Sequence, residues 1–408
     1  MKAMAARRIK MDTKTLISIS GTALYAAFLL YLAATFFFGA AIRDKGRKNK
    51  QGITGKIGIT ITLLGFAAHL VYFVTRWIAS GHAPLGNMFE FVTFFGMTMV
   101  LGFLIIWFIY RINVMGLLAL PVAMIVIAYA SVFPREIAPL GPSLQSNWLP
   151  IHVSTVSLGN GILSISFVAG LIYLIRQIDQ SKRSRQTVWL EIVLLSLYMF
   201  VGFSVISGIF NGAGYKADFE YMQDNKTLTT EYRMPAIAGP YEGKLLTKEK
   251  LQPWIETPSW FHGKDSGRKF NTVIWSAATG AAMYVLTRLI ARRRVGALLQ
   301  PLMKRTKPEL LDEVSYRAVA IGFPVFTLGG LIFASIWAQI AWDRFWGWDP
   351  KEVWALVTWF FYAAFLHLRL SRGWHGERSA WLAVVGFAII MFNLVAVNLI
   401  LAGLHSYA

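Results

Sequence analysis

The chain has 408 residues, 56% of them apolar, with 40 lysines and arginines against 21 acidic residues and a formal charge of +19. It contains no cysteine, which excludes disulfides, thiolate metal sites and any thiol redox step of its own. Nor does the charge point to nucleic acid: it collects in loops between long apolar runs, as the positive-inside bias of membrane proteins predicts.

The apolar runs are continuous rather than alternating, which excludes a β-barrel, and several exceed the roughly 20 residues that cross a hydrocarbon core of about 30 Å. They predict an all-α polytopic membrane protein, a single unit over 1–408, because helices satisfy their own backbone in lipid. Ten spans are expected, at 15–41, 57–79, 89–110, 113–133, 153–175, 188–210, 271–291, 316–341, 352–370 and 380–402. The first run is long enough to span and lacks a small-residue cleavage site, so no cleavable signal peptide is expected.

Four basic connections, 43–56, 176–185, 292–307 and 369–378, fall on one side, which should be cytoplasmic. The same parity puts the basic N-terminus (Lys2, Arg7, Arg8, Lys10, Lys14) on the other side, against the rule. That other face carries segments 80–88, 134–152 and 211–270, the turn after the eighth span, and His405. Segment 211–270 is too long for a simple connection and reads as an extracytoplasmic insert. Within it Asp218–Met222 and Thr227–Met234 are placed to pair as a β-hairpin. There is no P-loop lysine motif, no His-Glu-x-x-His and no nucleophile elbow, so neither an ATPase nor a hydrolase is indicated.

The turn after the eighth span concentrates aromatic surface. Five of the fifteen tryptophans, Trp337, Trp342, Trp346, Trp348 and Trp354, lie in or beside Trp342-Asp343-Arg344-Phe345-Trp346-Gly347-Trp348-Asp349-Pro350-Lys351-Glu352. Tryptophan collects at membrane interfaces in any case. The density here, with histidines around it, suits a large planar ligand, and haem is the expected one. His152 and His405 stand at the same face as the turn and can supply two axial ligands to a haem iron at the membrane surface. Arg76 is placed to pair with a haem propionate, with Arg344 and Lys351 as further candidates. Asp349 and Glu352 are expected to fix the turn, since Asp-Pro at a helix start is a common capping arrangement.

His69 and His367 lie inside spans. His367 follows Glu352 by fifteen residues and His69 precedes Gly81 by twelve, giving depths of about 22 and 18 Å. An ionisable residue at such depth needs a partner. Three fit: a second haem held between these two histidines, a hydrogen bond to a neighbouring helix, or, for His367, a histidine of another subunit. His82, His262 and His375 fall in loops, where a solvated histidine is ordinary.

Together these residues resemble a known family. Trp337-Ala338, Trp348-Asp349-Pro350-Lys351-Glu352 and Trp354-Ala355-Leu356 are similar to the tryptophan-rich WWD signature of haem-handling proteins. The WWD-containing core, 310–408, resembles the CcsA/ResC family of system II cytochrome c biogenesis. Ser315-Tyr316-Arg317, Gly322-Phe323-Pro324 and Gly403-Leu404-His405-Ser406-Tyr407 fit that pattern. So do Arg76-Trp77, Ser80-Gly81-His82-Ala83-Pro84, Asn87 and Glu90.

The resemblance implies a component of a cytochrome c synthase. Such a protein, working with a CcsB/ResB-type membrane subunit, carries haem b to the outer face for attachment to the CxxCH motif of apocytochrome c. It implies His152 and His405 as outer iron ligands and His367 as a membrane ligand, with His69 its partner on depth alone. Presentation falls to Trp342, Trp346, Trp348 and Asp349, with Trp337, Trp354 and Arg76 around the haem and no residue acting by direct chemistry. Thiol-reducing proteins act indirectly, and the expected location is a bacterial plasma membrane, in preference to a thylakoid, with the haem site outside.

Two departures stand out. Asp343 replaces a glycine usual in the signature, and spans six and seven look inserted relative to the shortest family members. Three rival readings compete with the synthase component. One is a bis-histidine cytochrome b-type electron carrier, another a haem exporter without attachment chemistry, and the third a scaffold with incidental histidines.

Overall fold

The computed structural model describes residues 12–43, 52–137, 139–141, 144–223, 226–247, 250–261 and 265–397. Among them ten helical stretches are long and apolar enough to cross a membrane, one at each expected position. They are built from α1 (Thr13–Arg43), α2 (Ile53–Ser80), α3 (Met88–Tyr110), α4 (Asn113–Tyr129), α5 (Trp148–Gln177), α6 (Arg185–Gly212), α7 (Ser266–Ala291), α9 (Pro308–Thr327) with α10 (Ala334–Trp342), α11 (Pro350–Arg372) and α12 (Glu377–Phe392). A short helix, α8 (Val295–Met303), sits in the basic connection before α9.

Three span starts differ most from expectation, the seventh opening five residues early at Ser266. The fifth span begins at Trp148, so His152 lies one turn inside the helix rather than beyond its end. The eighth begins at Pro308, where a proline at the first helical position costs no hydrogen bond. The eighth span is also not a uniform helix. Its middle, Leu328–Phe333, is a π-helical turn between α9 and α10, and a second π-turn, Asn393–Val397, continues α12.

The core is helix on helix. α5 packs against α3, α9 and α12, while α1 pairs with α2 and α6 with α7. Apolar side chains have little reason to prefer one another over lipid tails, so close backbone approach and polar contacts set these interfaces. Along the α5–α9 seam a Cβ at Gly159 would stand 2.7 Å from the Phe326 amide nitrogen, and one at Gly329 only 2.4 Å from that of Val156. Ser166 and Ser315 hydroxyls bond across the same seam at 2.8 Å. Thr98 donates to the Ser157 carbonyl between α3 and α5 at 2.9 Å, and Trp359 Nε1 donates to Thr327 between α11 and α9 at 3.0 Å. At the other end of these spans, Asp312 of α9 receives Arg369 of α11 at 2.6 Å and the Gly376 amide at 3.0 Å.

The insert between α6 and α7 contains the expected hairpin. β1 (Ala217–Gln223) pairs antiparallel with β2 (Lys226–Tyr232), with Phe219 opposite Thr230. β4 (Lys244–Leu245) adds to the free edge of β1, and β3 (Ala238–Gly239) pairs in parallel with β5 (Ile255–Glu256). Asn271 fixes this unit to α7: its Oδ1 accepts the Ile237 and Ala238 amides at 2.8 and 3.1 Å, and its Nδ2 donates to the Pro235 carbonyl at 3.1 Å.

The seam makes a specific expectation. Gly159→Ala forces backbone away from backbone and should destabilise the purified protein by about 1–3 kcal/mol, the usual range for overpacking. Gly208→Ala, where a Cβ meets nothing within 4 Å, should leave the thermal unfolding midpoint unchanged or raise it. Equal effects of the two substitutions would remove the seam from the account.

Candidate functional site

The site starts from the seam. His152 projects from the second turn of α5 toward the π-turn, and its Nδ1 lies 2.9 Å from the Gly329 carbonyl oxygen. A carbonyl only accepts, so Nδ1 carries the proton and the neutral ring has its lone pair on Nε2, the tautomer a metal ligand needs. The indole of Trp337 stacks on the imidazole at 5.6 Å with 9° between the planes, and Trp342 meets Trp337 edge-on at 4.7 Å. Trp337 is buried, so the stack fixes the ring plane while the carbonyl fixes its rotation.

Two loops close the site, and both are held by a carboxylate at the third position of the following helix. Before α3, Asn87 caps the helix by accepting the Glu90 amide at 2.9 Å, and Glu90 Oε2 accepts the Gly86 amide at 3.0 Å. Before α11, Asp349 accepts the Lys351 amide at 3.0 Å, and Glu352 Oε2 accepts the Gly347 and Asp349 amides at 2.8 and 3.2 Å. Each arrangement satisfies donors that a helix start would otherwise leave unpaired. The two starts meet where Lys351 Nζ approaches Met88 Sδ at 3.7 Å.

Glu90 has a second partner. Arg76 Nε donates to its Oε1 at 2.7 Å, both side chains being almost wholly buried, and Arg76 Nη2 donates to the Arg135 carbonyl at 2.9 Å. The guanidinium ties α2, α3 and the segment after α4 together. It is therefore spent on protein rather than on a ligand.

Between these walls lies a cleft with about 1240 Å³ of empty space, its open mouth included. His152, Trp337, Trp342, Trp346 and Phe345 line one part, Met88, Phe91 and Phe95 another, and Asn87, Asn160, Asn393, Lys351 and Glu352 bring polar side chains. Asn160 stands eight residues below His152 on α5, so the cleft reaches about 12 Å into the bundle. Its Oδ1 is buried with no hydrogen-bond partner among the described residues. A deep, aromatic-walled cleft with one oriented imidazole and an unsatisfied amide oxygen suits a flat amphipathic ligand.

The expected residues divide. His152, Trp337, Trp342 and Trp346 gather at the cleft. Asp349 caps α11 behind it. Trp348 is 69% exposed, in a left-handed conformation with φ 56°, and Trp354 packs on Phe392 of α12 at 4.3 Å. Arg344 is exposed, with its guanidinium against Gly347. Asp343 also adopts φ 55°, which explains why glycine suits that position; aspartate tolerates it, and its carboxylate accepts from Gln339 at 3.1 Å.

The membrane histidines sit in different helix groups. His69 is fully buried on α2 beside Tyr31 and Tyr72, with Nδ1 3.4 Å from the Tyr31 hydroxyl. This contact corresponds to one of the three alternatives, the hydrogen bond to a neighbouring helix. His367 is exposed on α11, which packs on α9 and α12. His405 and His262 lie outside the described residues. Sequence reasoning passed over Asn160 and Asn393, although an asparagine inside an apolar span is a signal in its own right.

The chain is similar in sequence to known proteins. The model of the family described as "Cytochrome C assembly protein" matches residues 85–219 and 272–405. The match covers α6 and most of α7 and breaks over 220–271, which holds most of the insert and the start of α7. A protein of Nostoc sp. named "Cytochrome c biogenesis protein CcsA" is 31% identical over 93% of this chain and 95% of its own length. One of the same name from Trichormus variabilis is 31% identical over the same shares. Another, from Gloeobacter violaceus, is 29% identical over 97% and 98%.

The Arg76–Glu90 pair makes a testable expectation. Arg76→Met strands a buried carboxylate and should cost about 3–5 kcal/mol. Adding Glu90→Gln, which keeps the acceptor for Gly86 and removes the charge, should recover part of that loss. Thermal unfolding of both variants checks it; no recovery in the double variant would show that the charge is not what matters.

Proposed function

The chain belongs to the CcsA family of cytochrome c assembly proteins, multi-pass membrane proteins of cytochrome c biogenesis, and from that premise we propose that its cleft presents haem b for attachment to apocytochrome c. One observation carries the proposal. His152 is locked by the Gly329 carbonyl and the Trp337 ring in the tautomer that ligates iron, on the wall of a cleft shaped for a planar molecule.

In this reading haem is the substrate. His152 supplies one axial ligand, and His405 is the expected second. Trp337, Trp342 and Trp346 pack along the macrocycle, and the cleft excludes water from it. Each cysteine thiol of a CxxCH segment adds across one vinyl group: a sulfur–carbon bond forms, the proton goes to the terminal vinyl carbon, and no electrons leave. The substrate supplies both thiols, so a chain without cysteines cannot divert the vinyl groups to itself. The protein's contribution is orientation, which lowers the entropic barrier to two additions in a row.

The CxxCH histidine takes one iron position, so one protein ligand leaves during transfer. A CcsB/ResB-type subunit is the proposed membrane partner, with the cleft at the outer face of a bacterial plasma membrane. The electron-carrier alternative calls for histidine pairs inside the bundle. The Tyr31 and Tyr72 rings against His69, and the exposure of His367, favour the single presented site.

His152→Gly should weaken haem binding by at least about 10-fold, the scale at which even outer partners of a metal ligand act. It should also abolish thioether formation on a CxxCH peptide. Reduced absorption spectra with haem quantification, on the chain purified with its membrane partner, measure the first. Unchanged haem occupancy in the variant would sink the proposal.

A further inference from the structure

A second cavity lies between the α6–α7 pair and the rest of the bundle, with about 800 Å³ of empty space, its mouth included. Phe133 lines it from the segment after α4, Met199, Phe200 and Phe203 from α6, and Val273 and Ala277 from α7. Val395 of the second π-turn also lines it, while Asn393 and Leu394 of the same turn line the cleft. The hydroxyls in its walls are turned back on their own helices. Those of Ser196, Thr272 and Ser276 donate to the Val193, Arg268 and Thr272 carbonyls at 2.7, 2.9 and 2.6 Å. Among the described lining residues, the other polar side chains are Tyr129 and Lys269. Lys269 belongs to the first turn of α7, with its ammonium 6.0 Å from the Phe133 ring.

We infer that this cavity is a lipid site, which takes one acyl chain of a phospholipid from the leaflet on the insert's side. Walls of this kind offer water too few partners to hold it. Left empty, they would forfeit packing contacts along their whole length. Val273 and Ser196 are exposed well inside their spans, where hydrocarbon is what reaches a surface. The space follows α7 from Lys269 to Ala277, eight residues or about 12 Å. It begins at the end of α7 that joins the insert, so the headgroup stays at that end and the chain runs inward.

Size decides between this occupant and a helix of another chain. A helix with its side chains is about 10–12 Å across, so 12 Å of it fills roughly 1,000 Å³. The cavity and its mouth together fall short of that, whereas a single hydrocarbon chain is narrow enough. Lipid tails are as apolar as these walls, so the chain is held by fit rather than by hydrophobic attraction. The inference is independent of what the cleft binds.

Mass spectrometry of the chain purified with its membrane partner, after exhaustive detergent exchange, counts the phospholipid that stays bound. The wild type should keep a single molecule per chain. Ala277→Phe, which fills the cavity, should keep none, and Ser276→Leu, a smaller filling, should weaken retention even if the larger one misfolds. Leu286→Phe, on exposed surface of the same helix, should retain lipid as the wild type does. Phosphatidylglycerol added to delipidated wild type should raise its thermal midpoint by about 2 °C or more, and Ala277→Phe should not respond. Lipid kept by both filled variants would place it elsewhere and overturn the site. Equal loss in Leu286→Phe would do the same, since the lipid would then be a loose surface layer. A wild-type complex that retains no lipid overturns the inference outright.

Discussion

The site depends on how closely two backbones approach. α5 and the broken eighth span meet where Gly159 and Gly329 leave no room for even a methyl group. That contact brings the Gly329 carbonyl within reach of His152, and the carbonyl decides which imidazole nitrogen keeps its lone pair. Trp337 then stacks on a ring that is already oriented. A wider seam would leave the histidine free to rotate, and its lone pair would have no fixed direction. In lipid such a seam cannot rely on hydrophobic attraction, so small residues and hydroxyls such as Ser166 and Ser315 hold it.

The walls facing the seam solve a different problem. A loop bordering a large cleft has amide groups that neither a helix nor water satisfies well. Glu90 and Glu352 answer it in the same way, each reaching back from its helix to amides of the preceding loop. Charge-assisted bonds of this kind are short and directional. The arrangement makes both rims rigid before any ligand arrives, so little ordering remains to oppose binding. It also commits two acidic groups nearest the cleft to backbone amides.

Much of this was legible in the sequence, for physical reasons. The spans follow from apolar runs too long to be anything else in lipid, and the hairpin from alternation broken by turn residues. The cap at Asp349-Pro350 follows from local chemistry. The start of α5 was misplaced because Pro150 reads as a boundary, although proline is tolerated in the first helical turn, where its missing amide has no partner to lose. α8 was hidden because nine residues between basic clusters resemble a connection; its start is held by Glu191 of α6, which accepts the Gly296 amide at 2.7 Å. Arg76 was assigned to a ligand because its true partner, Glu90, lies across a loop whose course the sequence does not reveal. Which tryptophans face the cleft was equally hidden, because facing depends on the angle around the helix axis.

That angle carries a lesson about inheritance. A π-turn holds one residue more than an α-turn, and each residue advances the helix by about 100°. Everything after Leu328–Phe333, including Trp337 and Trp342, is therefore turned relative to where an unbroken helix would carry it. A descendant that lost a single residue from this stretch would keep every tryptophan and every histidine in its sequence. Its signature would still be recognisable, yet the aromatic wall would point elsewhere and His152 would lose its stacking partner. For proteins built this way, spacing between the eighth span and its turn is as much a part of the motif as the residues themselves.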